Sequence, residues 1–382
     1  MTQAKINPRM LRWARERIGL SIHDTAKKIG LQDKMSRLAD WEQGNQFPTL
    51  RQAQKLARVL HIPFGYLFLS QPPEMTLPIA DFRMTAVDVS GNFSPELEDV
   101  LNDAFRKRDW LRERRIQENQ SPLPFIGKFT QDASYQVICE SIRETLDLPT
   151  PSARDVNSSD EHLRFLVKQA EQAGILVLQS GCVGNNTHRT LSVKEFRGFA
   201  LADSYAPLIF LNAKDSRNGR VFTFAHELGH LWTGTSGVSD PNLSLDEKNV
   251  LEIEQLCNQV AAELLVPAQI IESLWKNHNY HELAKKFCVS TLVILIRGYK
   301  LGLLPKQQFQ TLYAEATKEI YLANEQDTRA PGGDFYRTFQ NRNGRLLLNE
   351  TAQALREGKL LYTEAAHLLN TSINTLDNAL QT

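Results

Sequence analysis

The residues best suited to chemistry lie between Arg220 and Gly234, where the chain reads Arg-Val-Phe-Thr-Phe-Ala-His-Glu-Leu-Gly-His-Leu-Trp-Thr-Gly. His226, Glu227 and His230 make the pattern His-Glu-x-x-His. Positions i and i+4 share one face of a helix, so both imidazoles can reach one metal ion. Glu227, one residue after the first imidazole, can touch a metal-bound water without ligating the metal. Phe222, Phe224, Ala225, Leu228, Leu231 and Trp232 surround these groups with apolar side chains and predict a buried helix. The chemistry such a set can do is zinc-assisted hydrolysis.

Two histidines leave a catalytic Zn2+ short of a ligand, because such sites usually offer three protein groups and a water. The extended metzincin pattern needs Gly at position 233 and His at position 236; Thr233 and Ser236 stand there and exclude it. The next candidates lie on a helix expected over 244–266, where Glu252, Glu254 and Glu263 compete, with Asp240 and Asp246 nearby in a loop. Glu254 shares a face with Cys257, Asn258, Ala261 and Leu265, a small and apolar side suited to packing inward. Glu252 lies about 200° further round the helix. Glu254 is therefore the expected third ligand. Tyr205, His188 and Arg220 are unranked candidates for an oxyanion donor, and Asn258 for a group that orients a ligand.

The elements that must hold these residues follow from apolar spacing. Residues 133–146 and 161–173 read as amphipathic helices; 174–180, 196–202 and 206–212 read as short strands, the last buried on both faces. A polar turn over 212–220 leads into the histidine helix. Helices, a small sheet and a metal-binding helix are the layout of a zincin-like peptidase. Ahead of it, residues 71–95 have linker composition, and 95–120 form a highly charged helix. That run reads as a solvated face, with a homodimer contact or a phosphate contact as its other uses.

A chain of 382 residues predicts two or three domains. Its 44 basic and 44 acidic residues cancel, so net charge names no partner, but residues 1–70 hold twelve basic side chains against five acidic ones. Such a local field suits a polyanion. Cys139, Cys182, Cys257 and Cys288 form no CxxC pair and fit a reducing compartment. With no apolar run of membrane-spanning length and no secretory leader pattern, a cytoplasmic protein is expected.

Within the basic segment, helices are expected over 8–20, 21–29 and 34–43, with a fourth opened by Pro48-Thr49. Short helices, a tight turn and positive charge suggest helix-turn-helix DNA binding. Lys34, Ser36 and Arg37 are the candidates for the major groove, and Arg51 and Lys55 for phosphates of an operator. Trp41-Glu42-Gln43-Gly44, Pro48-Thr49 and Leu56-Ala57 make the segment similar to the XRE (Cro/repressor-like) family, although Ile22 stands where many such repressors place a glutamine that touches DNA.

Ile209–Asn212, Phe222–His230 and the stretch Glu252–Pro267, EIEQLCNQVAAELLVP, resemble the ImmA/IrrE family of metallopeptidases. That resemblance also makes Glu254 the third ligand, as the glutamate four residues before the Asn of the second helix. It implies zinc, Glu227 as the proton acceptor in peptide hydrolysis, and a narrow protein substrate: a DNA-binding repressor or an antitoxin-like partner encoded nearby. The competing reading is an XRE-type repressor or antitoxin whose zinc site is structural or idle; retention of Glu227 favours the peptidase.

The last third carries two helix-turn-helix-like patterns, 283–303 and 361–380, for which packing or partner binding is favoured over DNA, and a loop-rich junction is expected over 324–345. The whole is expected to be α+β and mainly helical: an XRE-like module over 1–75, linker and charged helix over 76–129, a zincin-like metallopeptidase domain over 130–275, and a helical extension over 276–382.

Overall fold

The computed structural model describes residues 3–31, 36–73, 93–149, 158–238, 252–275, 279–326 and 335–380. Described residues up to 99 form one compact unit and those from 100 onward a second.

The first unit is built from α1 (Pro8–Arg17), α2 (Ile22–Ile29), α3 (Ser36–Gln43), α4 (Leu50–Val59) and a 3-10 turn, Phe64–Phe68. Three of the helix starts have a local cause. Asn7 caps α1 by accepting from Arg9 N with Pro8 in the first turn, and Ser21 caps α2 by accepting from Asp24 N. Thr49 and Gln52 close a reciprocal capping box on α4. Leu11, Ala14, Ala26, Leu38, Trp41, Leu56 and Leu60 make the core. The Trp-Glu-Gln-Gly stretch is used structurally. Trp41 fills the core, and the buried Glu42 carboxylate takes a two-pronged contact from Arg15, Nε to Oε1 at 2.6 Å and Nη2 to Oε2 at 3.0 Å. Arg15→Ala would leave that carboxylate with only Arg12, at 3.8 Å, and denaturant melts should show a loss of about 1.5–3 kcal/mol.

In the second unit a four-stranded sheet has the order β1 (Leu176–Ser180), β5 (Leu208–Asn212), β4 (Gly198–Leu201), β6 (Gly237–Val238). β1 runs parallel to β5, and β4 runs antiparallel to both β5 and β6. Every residue of β5 is buried, which accounts for its unbroken apolar run. A separate hairpin, β2 (Cys182–Val183) with β3 (Asn186–Thr190), departs from the sequence reading. Its polar residues carry no apolar alternation, so backbone pairing alone marks it. Around the sheet pack α6 (Tyr135–Thr145), α7 (Ser159–Gln172), α8 (Arg217–Thr233) and α9 (Glu252–Leu265). Ile138, Ile142, Leu163, Leu166, Phe224, Leu228, Val260 and Leu264 join in one core.

Helix α5 (Pro95–Gln117) corrects the expectation of a solvated face. Lys107, Arg114 and Arg115 are only 2%, 6% and 6% exposed. Lys107 pairs with Asp103 at 2.8 Å, and Arg114 pairs with Glu350 at 2.8 Å and Glu118 at 2.9 Å. Arg115 donates to the carbonyls of Gly174 and Tyr205 at 3.0 and 2.6 Å. The charges are buried because each finds a partner, several of them more than fifty residues away in the chain.

The remaining helices are α10 (Ala268–Trp275), α11 (Tyr280–Phe287), α12 (Thr291–Lys300), α13 (Lys306–Gln326), α14 (Phe335–Asn343), α15 (Arg345–Arg356), α16 (Tyr362–Leu368) and α17 (Ile373–Leu380). α11 and α12 do form a helix-turn-helix, with Cys288 at φ 55° in the turn and Ser290 capping α12. However, Val293, Ile294, Leu295, Arg297 and Gly298 of α12 are buried, so that helix serves the core, in line with the packing role favoured for it. Leu283, Phe287 and Ile294 belong to the same core as α8. The loop-rich junction expected over 324–345 is corrected at its two ends. Residues 327–334 lie outside the described residues, but α13 reaches Gln326 and 335–343 are helical. Asn343-Gly344, within that range, is a tight joint between α14 and α15: Gly344 has φ 71°, and a Cβ there would lie 2.8 Å from the Val177 carbonyl oxygen.

Candidate metal centre

Helix α8 opens at Ser216, which accepts from Gly219 N, and closes at Gly234 in the left-handed region. From Thr223 to Trp232 every residue is buried, so the two histidines are held on a helix enclosed on all sides. Helix α9 crosses α8 at Gly229, where a Cβ would lie 3.1 Å from Cys257 Cα and 3.0 Å from its Sγ. Glu254 stands about one turn before Cys257 on α9. The close crossing is what brings its carboxylate to the histidines.

The three groups converge. His226 Nε2 and His230 Nε2 are 3.0 Å apart, and Glu254 contacts them through Oε2 and Oε1, each at 3.2 Å. Tetrahedral ligands bonded to zinc at about 2.0–2.1 Å are themselves about 3.3 Å apart, so these separations suit one shared ion. The far sides of the rings are occupied. His226 Nδ1 meets Asn258 Oδ1 at 3.1 Å, and His230 Nδ1 meets Thr235 Oγ1 at 2.9 Å. With each imidazole neutral and its Nδ1–H donating outward, two Nε2 lone pairs and a carboxylate face one point, an arrangement that calls for a cation; a proton on Nε2, donated to Glu254, is the other way to satisfy it. Among the described residues, His226, His230 and Glu254 are the only such grouping of potential metal ligands.

The ionisation of the site agrees with its donors. Burial pushes the Glu254 carboxyl up, but hydrogen bonds from His226 and His230 outweigh it and hold the group well below the usual carboxylate range. Burial pulls His226 down, yet the hydrogen bond and charge of Glu254 raise it above its ordinary 6.5. Cys257, though adjacent, has its thiol pushed well above the ordinary value by burial, which makes it packing rather than a thiolate ligand. Glu227 is fully buried beside the start of β4; a Cβ on Gly198 would come within 3.1 Å of its Oε1.

The competing carboxylates are placed elsewhere. Glu252 is exposed, Glu263 pairs with Arg297, and Asp240 and Asp246 lie outside the described residues. Of the oxyanion candidates, Arg220 is engaged with Asp160 at 3.3 Å, the Tyr205 ring lies under Arg112, and His188 is exposed on β3. Asn258 meets His226 as the sequence suggested, whereas Thr235 was not anticipated. Its signal is the Gly234 before it, which turns the chain back under His230.

Comparison with known families locates this geometry. Residues 170–298 match the peptidase M78 model, the IrrE N-terminal-like domain. The IrrE-like segment runs from the end of α7 through α12, so it takes in the sheet, both helices of the metal site and the buried α11–α12 pair. Residues 11–67 match a helix-turn-helix model, in the N-to-C order expected. The chain thus joins a DNA-binding type of module to a metallopeptidase-like domain. The search of curated proteins gave no match. No helix among the described residues is long and apolar enough to cross a membrane.

On the helix-turn-helix module, Ser36 and Arg37 are exposed at the start of α3, Arg51 is exposed on the first turn of α4, and Lys34 lies outside the described residues. Lys55 is exposed too, but its Nζ donates to the Ile29 carbonyl at 2.9 Å and closes the end of α2.

Proposed function

We propose that this protein is a DNA-binding regulatory zinc metallopeptidase that hydrolyses a peptide bond in a specific protein partner, such as a DNA-binding repressor or an antitoxin-like protein encoded nearby. The observation that carries the reading is the convergence of His226, His230 and Glu254 at 3.0–3.2 Å with Glu227 buried next to the first of them. His226, His230 and Glu254 would hold the ion. Bound there, zinc supplies the Lewis acidity that polarises a carbonyl and makes water a nucleophile near neutral pH. Glu227 holds the proton released at its carboxylate and returns it to the leaving amine. Asn258 orients His226, and β4 confines Glu227 from the sheet side. The test combines zinc analysis of the purified chain with proteolysis of candidate partners encoded beside it; a wild type that carries no zinc and cuts none of them would remove the reading. Such a role places the protein in the cytoplasm, where operator and repressor are met together.

Metal binding should depend on pH with a defined sign. An imidazole must be neutral to ligate, and His226 holds its proton above its ordinary 6.5. Zinc affinity is therefore at its plateau above that raised value and falls as pH drops through it, about tenfold per unit for each proton displaced. Competition with a zinc chelator between pH 5.5 and 8.5 should show the loss beginning above pH 6.5.

For the N-terminal module we propose Lys34, Ser36 and Arg37 as groove contacts and Arg51 as a phosphate contact. Arg51→Ala should weaken operator binding across sequences and reduce the slope of log K against log salt by about 1. Arg37→Ala should instead cost about 1–3 kcal/mol at one base position. Mobility shifts over a salt series separate the two, and unchanged binding by both variants would exclude this face.

A further inference from the structure

We propose that Thr233 and Thr235 form a hydroxyl relay that fixes the tautomer of His230 and thereby sets the metal affinity of the site. The proposal rests on the metal-site reading above and adds residues that the peptidase pattern does not name.

Thr233 Oγ1 donates to the Gly229 carbonyl at 2.9 Å, with the His230 carbonyl also near at 3.2 Å. A hydroxyl has one proton and a carbonyl can only accept, so the proton of Thr233 is spent on its own helix. Thr233 Oγ1 and Thr235 Oγ1 are 3.0 Å apart, and with Thr233 donating to its helix, the relay assigns Thr235 as the donor between them. The proton of Thr235 is thereby spent as well. In that arrangement its oxygen, 2.9 Å from His230 Nδ1, accepts, and the relay puts the hydrogen on Nδ1. The lone pair of His230 is then at Nε2, the atom that faces His226 and Glu254. The Gly229 carbonyl at one end of the chain of bonds thus decides which nitrogen is free at the other.

The backbone is built to present this relay. Gly234 ends α8 at φ 70°, and a Cβ there would lie 2.9 Å from Gly127 Cα. The turn lets Thr235 N donate to the His230 carbonyl at 2.9 Å, which brings its side chain back under the imidazole it serves. Ser236, next along, takes no part: its Oγ accepts from Ala202 N at 2.9 Å and ties the chain to the end of β4. The two histidines are therefore oriented by different means. His226 depends on Asn258 from α9, and His230 on the end of its own helix.

The experiment compares the full-length wild type with Thr235→Val, Thr235→Ser and Thr233→Val, each labelled with 15N-histidine. Two quantities are read at pH 8: zinc affinity against a competing chelator, and the Nδ1–H resonance of His230. Thr235→Val keeps the shape of the side chain and should weaken zinc binding about 10–100-fold and lose the Nδ1–H signal, with the thermal melt unchanged. Thr235→Ser should restore both, and Thr233→Val should give an intermediate loss, since Thr235 is then free to turn its proton towards His230. Zinc binding by Thr235→Val within about twofold of wild type, or a Ser variant as weak as the Val variant, would overturn the relay. A wild type that binds no zinc would instead count against the metal-site reading. The Nδ1–H signal of the zinc-free chain still decides the relay: its presence in wild type and loss in Thr235→Val supports it, its absence from wild type overturns it.

Discussion

Glu227→Gln is expected to lower peptide cleavage about 10²–10⁴-fold while leaving zinc content and thermal stability at wild-type values. Gln matches Glu in size and keeps hydrogen-bonding atoms at the same places, so the fully buried position can accept it without a cavity. What it cannot do is take a proton. The donor atoms grouped for a metal belong to His226, His230 and Glu254, so exchange at Glu227 leaves that set intact. Glu254→Ala provides the contrast, because it removes a donor and should reduce zinc content and cleavage together. Zinc stoichiometry measured beside initial rates of cleavage separates the two effects. Undiminished cleavage by the Gln variant would mean that the buried carboxylate beside β4 is not the proton acceptor.

How far the sequence alone could reach depends on the distance over which each feature is decided. The pairing of His226 with His230 needs only the helix repeat and was legible at once. Glu254 was legible for a similar reason: its neighbours Cys257, Asn258 and Ala261 define an inward face, and Glu252 on the other side is exposed. Thr235 was not, because it reaches His230 only when Gly234 adopts φ 70°, and that conformation is a property of the helix end. Helix α5 was misread for a longer-range reason. A run of Arg and Lys looks the same whether water or Glu350 and the Gly174 carbonyl receive its protons, and those partners are remote in sequence. The 283–303 pattern gave its helices and turn correctly, yet only the surrounding core shows how much of α12 is buried. In the first unit, the Trp-Glu-Gln-Gly stretch marked the family resemblance through residues that hold the module together, Trp41 in the core and Glu42 on Arg15. The DNA contacts we propose at Ser36, Arg37 and Arg51 fall on exposed positions, where sequence pattern constrains least.

The residue between the two histidines carries the second large expectation: Gly229→Val should destabilise the IrrE-like domain by about 1–3 kcal/mol or more and reduce zinc affinity at least about 100-fold. Even a single Cβ at this position would stand 3.1 Å from Cys257 Cα, which is backbone and cannot rotate aside. The γ-methyl groups of Val need still more room, so α8 and α9 must separate. Separation at that point acts directly on the site, because Glu254 and Asn258, on either side of Cys257, reach α8 only through this crossing. A shift of half an ångström or more would pull Oε1 and Oε2 away from both Nε2 atoms and leave His226 without its Asn258 contact. Cys257→Gly offers a test of cause, since removing the Cys257 side chain relieves the contacts with Sγ and Cβ at 3.0 and 3.2 Å but not the one with Cα. If the crossing distance governs the site, the double variant should recover part of the zinc affinity that Gly229→Val loses, although Gly within α9 itself costs about 0.5–1 kcal/mol. Normal zinc affinity in the Val variant would show instead that the ligands do not depend on how closely the two helices approach.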